Sequence, residues 1–168
     1  MKILVLSDSH SGRSFMRYAI EAVKPHHVIH LGDYYEDGTV IAELYPHIRV
    51  HQVPGNGDYF GAVRSQPTTM CYDIGGVRIF MTHGHLQGVK NGLGRLLSDE
   101  KAKTAQVVTF GHTHEALCCQ TEEGVWVMNP GSCRGWGGSV GLIEIAGDKI
   151  SACRILTQAE LEAMQEQE

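Results

Sequence analysis

Residues 1–10, MKILVLSDSH, hold an apolar run, Ile3 to Leu6, that stops at a polar stretch containing Asp8 and His10. A short apolar run bounded by turn-forming residues is typical of a buried β-strand. If the extended conformation continues, Asp8 and His10 point to the same side and converge on one metal ion. The alternative for this stretch alone is a turn with a capping Asp8 and a solvated His10. Recurrence of the pattern at other strand ends favours the metal.

Around this stretch, predicted strands and helices alternate through the first half of the chain. The strands are Lys2 to Ser7, His26 to Leu31 and Ile48 to Val53, and the helices between them are Arg13 to Val23 and Thr39 to Tyr45. A β-α-β-α-β order favours parallel strands joined by right-handed crossovers. The carboxyl ends of these strands are therefore expected at one edge of a sheet.

The second half of the chain is dominated by further apolar runs. Gly75-Gly76 indicates a hairpin, and the segment 93–103 is predicted to be helical. The predicted strands are 69–74, 77–82, 107–110, 117–121, 125–128, 140–145 and 150–156. The pattern predicts a two-sheet α/β sandwich in a single domain, 1–168, with 157–168 as an acidic helical tail at the C-terminus.

Composition limits the classes of function. The 168-residue chain has 42% hydrophobic and 20% charged residues, which is ordinary for a globular protein. No apolar run approaches the roughly 20 residues that cross a bilayer, and the net charge of -5 argues against binding of long nucleic acids. The five cysteines form no C-x-x-C pair, so neither a disulfide framework nor a thiolate zinc site is indicated. We expect a cytoplasmic protein that does not bind membranes, and strand edges leave a homo-oligomer open.

Five predicted strands end in short polar turns that carry Asp, Asn or His. In open α/β sheets, ligands bind beyond the carboxyl ends of parallel strands, so these turns are expected to meet. Ordinary turn chemistry explains some of them in isolation, whereas paired histidines after a buried strand favour a metal. The turns are Ser7-Asp8-Ser9-His10, Gly32-Asp33, Gly55-Asn56-Gly57-Asp58, His83-Gly84-His85 and Gly111-His112-Thr113-His114. Other histidines, before or within strands, are interpreted as surface or core side chains: His26, His27, His30, His47 and His51.

The order and spacing of the five turns resemble those of the calcineurin-like metallophosphoesterases. The length and the segment Asn129-Pro130-Gly131-Ser132 make the chain most similar to the small prokaryotic phosphodiesterases of that superfamily, a subgroup related to the vacuolar-sorting subunit of retromer. The resemblance extends to about Leu156. It implies a four-layer α-β-β-α sandwich of two mixed β-sheets, with a dinuclear metal site at the strand ends.

The resemblance also implies the metal ligands and the activity. Each ion is expected to have four ligands, with Asp33 shared: Asp8, His10, Asp33 and His114 for one ion, and Asp33, Asn56, His83 and His112 for the other. Carboxylate, amide and imidazole ligands suit Mn, the metal we favour, as well as Fe, Ni, Zn and Co. The implied reaction is metal-dependent phosphoester hydrolysis, above all of phosphodiesters, by in-line attack of a metal-bridging hydroxide.

Catalytic roles are expected for Asp33, Asn56, Asp58 and His85. Asp58 is interpreted either as an acceptor that orients a ligand or as an ordinary turn aspartate. Gly57 stands where many relatives have histidine or cysteine, so a general acid is missing, and losing one commonly costs about 10²–10⁴-fold in rate. His85 is a candidate replacement, with a turn histidine as the alternative. The missing acid favours phosphodiesters with acidic leaving groups over alkyl monoesters.

The expected substrate is a small phosphoester, nucleotide-like in one interpretation. Tyr34, Tyr35, Tyr59 and Phe60 flank the ligand turns and could stack on a nucleobase, although such residues also fill loop cores. Arg134 could reach a phosphate, but its loop departs from that of relatives, and its role stays open.

Two other classes of function compete with this interpretation. One is a non-catalytic scaffold with the same fold, like the retromer subunit, which leaves the complete ligand set unexplained. The other is a metal-dependent hydrolase of non-phosphate esters or lactams, but the His-x-His-x-Asp-His string of one such fold is absent from the sequence.

Overall fold

The computed structural model describes residues 1–166, with helices and strands alternating in the first half as the sequence predicts. The strands are β1 (Lys2–Leu6), β2 (His27–His30), β3 (Arg49–Gln52), β4 (Thr69–Ile74), β5 (Val77–Thr82), β6 (Val107–Thr109), β7 (Leu117–Gln120), β8 (Trp126–Asn129), β9 (Ser139–Ala146) and β10 (Lys149–Thr157). The α-helices are α1 (Arg13–Val23), α2 (Tyr35–Leu44), α3 (Gly94–Leu97) and α4 (Gln158–Glu166), and 3₁₀ turns lie at Gly61–Ser65, Val89–Asn91 and Ala102–Thr104.

The strands form two mixed five-stranded sheets. The first has the spatial order β10-β9-β1-β2-β3, and the second has the order β4-β5-β6-β8-β7. In the first sheet β1, β2 and β3 are parallel, and β9 runs antiparallel to β1. In the second sheet β5, β6 and β8 are parallel, with antiparallel β4 and β7 at the edges. The carboxyl ends of the six parallel strands, three in each sheet, therefore face the same edge of the sandwich.

Alternation along the strands places apolar side chains on both faces of each sheet. On the outer face of the first sheet, Leu4 belongs to a buried cluster with Phe15 of α1. On its inner face, Ile3 packs in a cluster with Ile79 of the second sheet. The outer face of the second sheet, including Phe80, packs against α3. This order of helices, sheet, sheet and helices confirms the four-layer α-β-β-α sandwich.

The prediction of a continuous helix over 93–103 is wrong. Only α3 forms there, followed by the 3₁₀ turn Ala102–Thr104. The hydroxyl of Ser98 donates to the carbonyl of Gly94, and the carboxylate of Asp99 accepts from the amide of Lys101. Side chains that bond to nearby backbone groups compete with the helical pattern, and here they end the helix after one turn.

Helix α2 begins four residues before the predicted start at Thr39. Tyr34 precedes it in a left-handed conformation with φ of 73°. The carboxylate of Asp58 accepts hydrogen bonds from the amides of Tyr34 and Tyr35 at 2.8 and 2.9 Å. The cap of this helix therefore comes from another loop, which a local sequence pattern does not indicate.

The acidic C-terminal segment forms α4, which packs on α1 with Leu161 fully buried. Residues 167–168 of the predicted tail lie outside the described part of the chain. Between residues 1 and 166, no helix combines the length and apolar character needed to cross a membrane.

Candidate metal centre

The five polar turns meet at the edge where β1, β2, β3, β5 and β6 end. Backbone hydrogen bonds join neighbouring turns within each sheet: the amide of Asp8 donates to the carbonyl of Gly32 at 2.9 Å in the first sheet, and that of Gly111 donates to the carbonyl of His83 at 3.0 Å in the second. All seven residues predicted as metal ligands lie in these turns. Their side chains surround two buried carboxylates, those of Asp8 and Asp33.

The carboxylate of Asp8 is fully buried and only half satisfied. Its Oδ2 accepts hydrogen bonds from the Ser7 hydroxyl at 2.5 Å and from the His112 amide at 3.0 Å. Its Oδ1 has no hydrogen-bond partner among the described residues, although Nε2 of His114 lies 3.1 Å away and Nε2 of His83 lies 3.9 Å away. A buried carboxylate oxygen without a donor is costly, and a cation among these side chains would satisfy it.

Asp33 lies between the two sides of the site. Its Oδ1 accepts a hydrogen bond from the Gly57 amide at 2.8 Å and lies 3.5 Å from Nε2 of His83. Its Oδ2 lies 3.9 Å from Nε2 of His10. The two oxygens thus face different imidazoles, an arrangement compatible with the predicted bridging role.

The hydrogen bond of His83 fixes which of its nitrogens faces the site. Nδ1 lies 2.7 Å from the carbonyl of Leu31, which can only accept, so Nδ1 carries the proton. In the neutral ring, Nε2 then presents a lone pair to Oδ1 of Asn56 at 3.1 Å and to Oδ1 of Asp33 at 3.5 Å. Lone pairs that face each other repel unless a positive ion lies between them, and an imidazole oriented by a backbone carbonyl is typical of metal ligands.

Two groups of side chains could each hold a metal ion. Asp8, His10 and His114 form one group, and Asp8, Asp33 and His83 form the other, with ligand atoms within 4.8 Å of one another in each. Asp8 belongs to both groups, whereas the sequence prediction shared Asp33. The division of ligands between two ions stays a prediction.

The two remaining predicted ligands flank the second group. Asn56 contacts His83 directly, and the ring centroid of His112 lies 5.1 Å from that of His83. Burial, reinforced by the nearby His83, lowers the pKa of His112, which favours the neutral, ligating form of the ring. All seven predicted ligands are therefore neighbours.

The thiol of Cys133 is not among the candidate metal ligands. Cys133 is fully buried behind Asp8 and donates to the carbonyl of Ser7 at 3.2 Å. Burial raises the pKa of Cys133 to about 12, so the group stays a neutral thiol. Carboxylate, amide and imidazole groups remain, and they fit divalent ions such as Mn, Fe, Co, Ni and Zn.

Asp58 acts on the backbone of the site. Besides the two amides at the start of α2, its carboxylate accepts a hydrogen bond from the Gly55 amide at 2.8 Å. It thereby joins the turn of Asp33 to the turn of Asn56. The structure places Asp58 as a residue that orients the ligand turns through their amides rather than through an imidazole.

His85 lies beside the ligands, with its ring centroid 5.3 Å from that of His83. Its Nε2 lies 2.9 Å from the Tyr59 hydroxyl, and its Nδ1 is buried without a partner among the described residues. Burial lowers the pKa of His85, and the neighbouring His83 and His112 lower it further. The ring can contact a substrate that is bound at the metal centre.

Several ligand residues adopt left-handed backbone conformations. The φ angles are 53° for Asp8, 43° for His10, 54° for Asp33, 69° for His112 and 61° for His114. The expectation that Asp8 and His10 converge by continuing the strand is therefore wrong, because the chain turns sharply at both. Left-handed conformations of non-glycine residues cost of order 1–3 kcal/mol each and are concentrated at functional sites.

Sequence reasoning missed Asp37, which supports the turn after β1. This carboxylate is fully buried and accepts hydrogen bonds from the Ser9 hydroxyl at 2.7 Å, the Ser11 amide at 2.9 Å and Nε of Arg13 at 2.6 Å. Its partners lie 24 to 28 residues away in the sequence. No local pattern therefore identifies it.

Comparison with known proteins defines the class of this fold and site. The family model described as the calcineurin-like phosphoesterase superfamily domain matches residues 1–148. The chain belongs to this superfamily, which confirms the resemblance read from its motifs.

Two curated relatives with less than 30% identity agree with this assignment. A probable metallophosphoesterase of Bacillus subtilis (strain 168), YsnB, is 28% identical over 141 residues, covering 80% of this chain and 76% of the relative. A probable metallophosphoesterase of Mycoplasma pneumoniae is 27% identical over 134 residues, covering 78% of each.

Solved structures share the fold. A conserved uncharacterized protein of Streptococcus pneumoniae, described as a predicted phosphoesterase, has a TM-score of 0.67 at 22% identity, covering 94% of this chain and 97% of its own. Vps29 of Entamoeba histolytica complexed with Zn²⁺ has a TM-score of 0.69 at 19% identity, covering 94% of this chain and 98% of its own.

Proposed function

We propose that this protein is a dinuclear metal-dependent phosphodiesterase that acts as one domain. The observation that carries the proposal is the pairing of a buried, unsatisfied Asp8 oxygen with imidazole nitrogens that face it at 3.1 and 3.9 Å. Such a group of acceptors is unfavourable without a cation. Membership of a phosphoesterase superfamily gives the bound cation its chemistry.

The seven predicted residues would hold the two ions. When bound, two divalent ions would lower the pKa of a water molecule and offset the charge of the phosphate. The Gly57 amide holds Asp33 in place, and the Leu31 carbonyl holds His83 in its ligating tautomer. The protein thus fixes the orientation of its ligands before the substrate arrives.

Local charge favours an anionic substrate despite the net charge of -5. Two dications would face the two carboxylates of Asp8 and Asp33, with neutral imidazoles around them. The site would then be positively charged, and the charge of bound ions dominates at short range. A phosphate ester fits such a site better than the uncharged carbonyl of an ester or lactam.

Preference for diesters rests on Gly57. Its amide is bonded to Asp33, and without a side chain the residue offers no proton to a leaving oxygen. A phosphodiester with an acidic leaving group needs such a proton less than an alkyl monoester does. We assign to His85 a contact with the substrate or leaving group from beside His83.

Mn is the proposed native metal, with Fe, Ni, Zn and Co as alternatives, because the ligands are hard or borderline donors. We also propose a cytoplasmic location, since all five cysteines are free and free thiols are typical of reducing compartments. Metal content after purification from the native host, measured by elemental analysis, tests the first of these proposals.

The decisive experiment measures hydrolysis of bis(p-nitrophenyl) phosphate and p-nitrophenyl phosphate with Mn, Fe, Ni, Co, Zn and Mg supplied separately. We expect Mn-dependent turnover with the diester preferred. In the His85→Ala variant, turnover should fall while metal content is unchanged, and unchanged turnover would remove the role assigned to His85. Full metal occupancy without any phosphoesterase activity would instead favour a non-catalytic scaffold with the same fold.

A further inference from the structure

An open cleft of about 520 Å³ adjoins the metal centre, and the proposed function does not use it. His114, a predicted metal ligand, lines one end of the cleft. The loop from Ser132 to Ser139 forms the rest, including the side chains of Arg134 and Trp136. The cleft therefore offers space next to a substrate held at the metal centre.

The loop is fixed to the metal centre by its start. The hydroxyl of Ser132 donates to the carbonyl of Asp8 at 2.8 Å, and the amide of Cys133 donates to the carbonyl of Ser7 at 3.1 Å. Because both bonds reach the turn that carries Asp8, the cleft and the metal ligands keep a fixed relative position. Such a connection suits a substrate-binding wall.

Trp136 presents an exposed but anchored aromatic ring. The residue is 63% exposed, yet its ring packs against those of Tyr18 and Phe15, with centroids 5.0 and 5.9 Å away. The exposed part of the ring is open to a ligand, and a ring held by others loses little freedom on binding. Trp136 can therefore act as a stacking platform.

Arg134 supplies a positive charge to the same cleft. Its guanidinium is exposed and forms no ion pair or side-chain hydrogen bond with the described residues. A planar aromatic surface next to a free guanidinium suits a ligand that combines a base with an anionic group. Nucleotides have this combination.

Other aromatic residues near the centre are less suited to stacking. The hydroxyl of Tyr59 is bonded to His85, and the ring of Tyr34 meets His10 edge-on with centroids 5.3 Å apart. Phe60 is 86% exposed and has no ring contact within the described residues. Tyr59 lines a pocket of only about 30 Å³, whereas Trp136 combines exposure and anchoring with the cleft of about 520 Å³.

We infer that the cleft binds the nucleobase of a nucleotide phosphodiester, with Trp136 as the stacking platform and Arg134 as an anion contact. This inference rests on the proposed phosphodiesterase function and names its class of substrate. Loss of a base–aromatic stack typically weakens binding by about five- to 150-fold. That range sets the effect expected from removing the ring.

Two measurements test the inference. The first compares kcat/KM for the p-nitrophenyl ester of thymidine 5′-monophosphate with that for methyl p-nitrophenyl phosphate, two diesters with the same leaving group. The Trp136→Leu variant should lower the ratio of the two values about five- to 150-fold, and Trp136→Phe should restore most of it. Arg134→Gln should lower kcat/KM for both substrates by about fivefold.

The second measurement is calorimetric binding of adenosine 5′-monophosphate and ribose 5-phosphate to the Mn-loaded protein. Wild type should bind the nucleotide at least about fivefold more tightly, and Trp136→Leu should abolish this difference. Equal affinities in wild type, or a difference that survives in Trp136→Leu, would overturn the inference. So would loss of the difference in Phe60→Leu alone.

Controls separate the possible failures. Tyr72→Leu removes a partly exposed ring that contacts His51 instead of the cleft, and it should leave both measurements unchanged. Thermal unfolding of each variant verifies the fold. If neither diester is hydrolysed with any metal, the proposed function fails, whereas the calorimetric comparison still decides whether the cleft recognises a base.

Discussion

Replacing Asp8 by asparagine should separate metal binding from folding. In wild type, Oδ2 accepts from Ser7 and from the amide of His112, while Oδ1 lacks a partner and lies 3.1 Å from Nε2 of His114. In the Asp8→Asn variant, the amide oxygen can keep both accepted bonds, and its NH₂ can donate to the lone pair of His114. The metal-free variant should therefore be at least as stable as metal-free wild type.

The metal-bound state should show the opposite effect. A metal at 100 times its dissociation constant stabilises the native state by about 2.7 kcal/mol. For a chain of this size, 1 kcal/mol shifts the Tm by roughly 2–4 °C, so wild type should gain about 5–11 °C. Because Asp8 belongs to both candidate ligand groups and an amide nitrogen is a poor metal ligand, the variant should gain less than about 2 °C.

Thermal unfolding in EDTA and in Mn²⁺, with hydrolysis of bis(p-nitrophenyl) phosphate, measures both effects. Turnover by the variant should fall at least about 100-fold. Asp148→Asn, which neutralises an exposed carboxylate outside the site, is the matched control and should keep the full metal shift. A full metal shift in Asp8→Asn, or a metal-free variant that melts several degrees below wild type, would refute the reasoning, because Asp8 would then be a structural carboxylate.

Three further predictions concern the surroundings of the centre. Gly57→His should raise hydrolysis of p-nitrophenyl phosphate relative to its diester by up to about 100-fold, whereas Gly57→Ala, whose Cβ also lies 3.2 Å from Oδ1 of Asp33, should not. Asp37→Ala should lower the free energy of unfolding by about 2–3 kcal/mol in urea titrations, because Arg13 and two other donors lose their acceptor. Burial lowers the pKa of His30 from 6.5 to about 4, so between these pH values the imidazole is protonated in the unfolded state but neutral in the native state. Stability should fall by up to about 3 kcal/mol between pH 6.5 and 4, and His30→Gln should reduce that fall.

The fold was predictable where the sequence pattern is local and strong. Ile3 to Leu6 and the other apolar runs form strands, and the order of elements in the first half predicts parallel strands correctly. The interruption of the helix expected at 93–103 could not be predicted, because the side chains of Ser98 and Asp99 compete for backbone groups there. Helical periodicity alone does not weigh that competition.

The site was predictable as a set of turns but not as a geometry. The carboxyl ends of parallel strands share an edge, so their polar turns meet whatever their internal conformation. The left-handed conformations of Asp8 and His10 are not indicated by the local sequence pattern, which predicts a continued strand. Asp37 supports the turn after β1 through partners at least 24 residues away, and Asp58 joins its own turn to Tyr34 and Tyr35, 24 and 23 residues away, beyond the reach of any local pattern.

The energetic cost of the site bears on whether the protein binds a metal ion or only shares the fold of proteins that do. Left-handed ligand residues cost of order 1–3 kcal/mol each, and Gly111 is needed because a Cβ there would overlap the Ser7 hydroxyl beside Asp8. A chain that used only its outer surfaces could exchange these residues for relaxed ones and gain stability. Their presence therefore argues for a bound ion. Metal analysis of the purified protein tests whether an ion is bound, and turnover then separates an enzyme from a metal-bound scaffold.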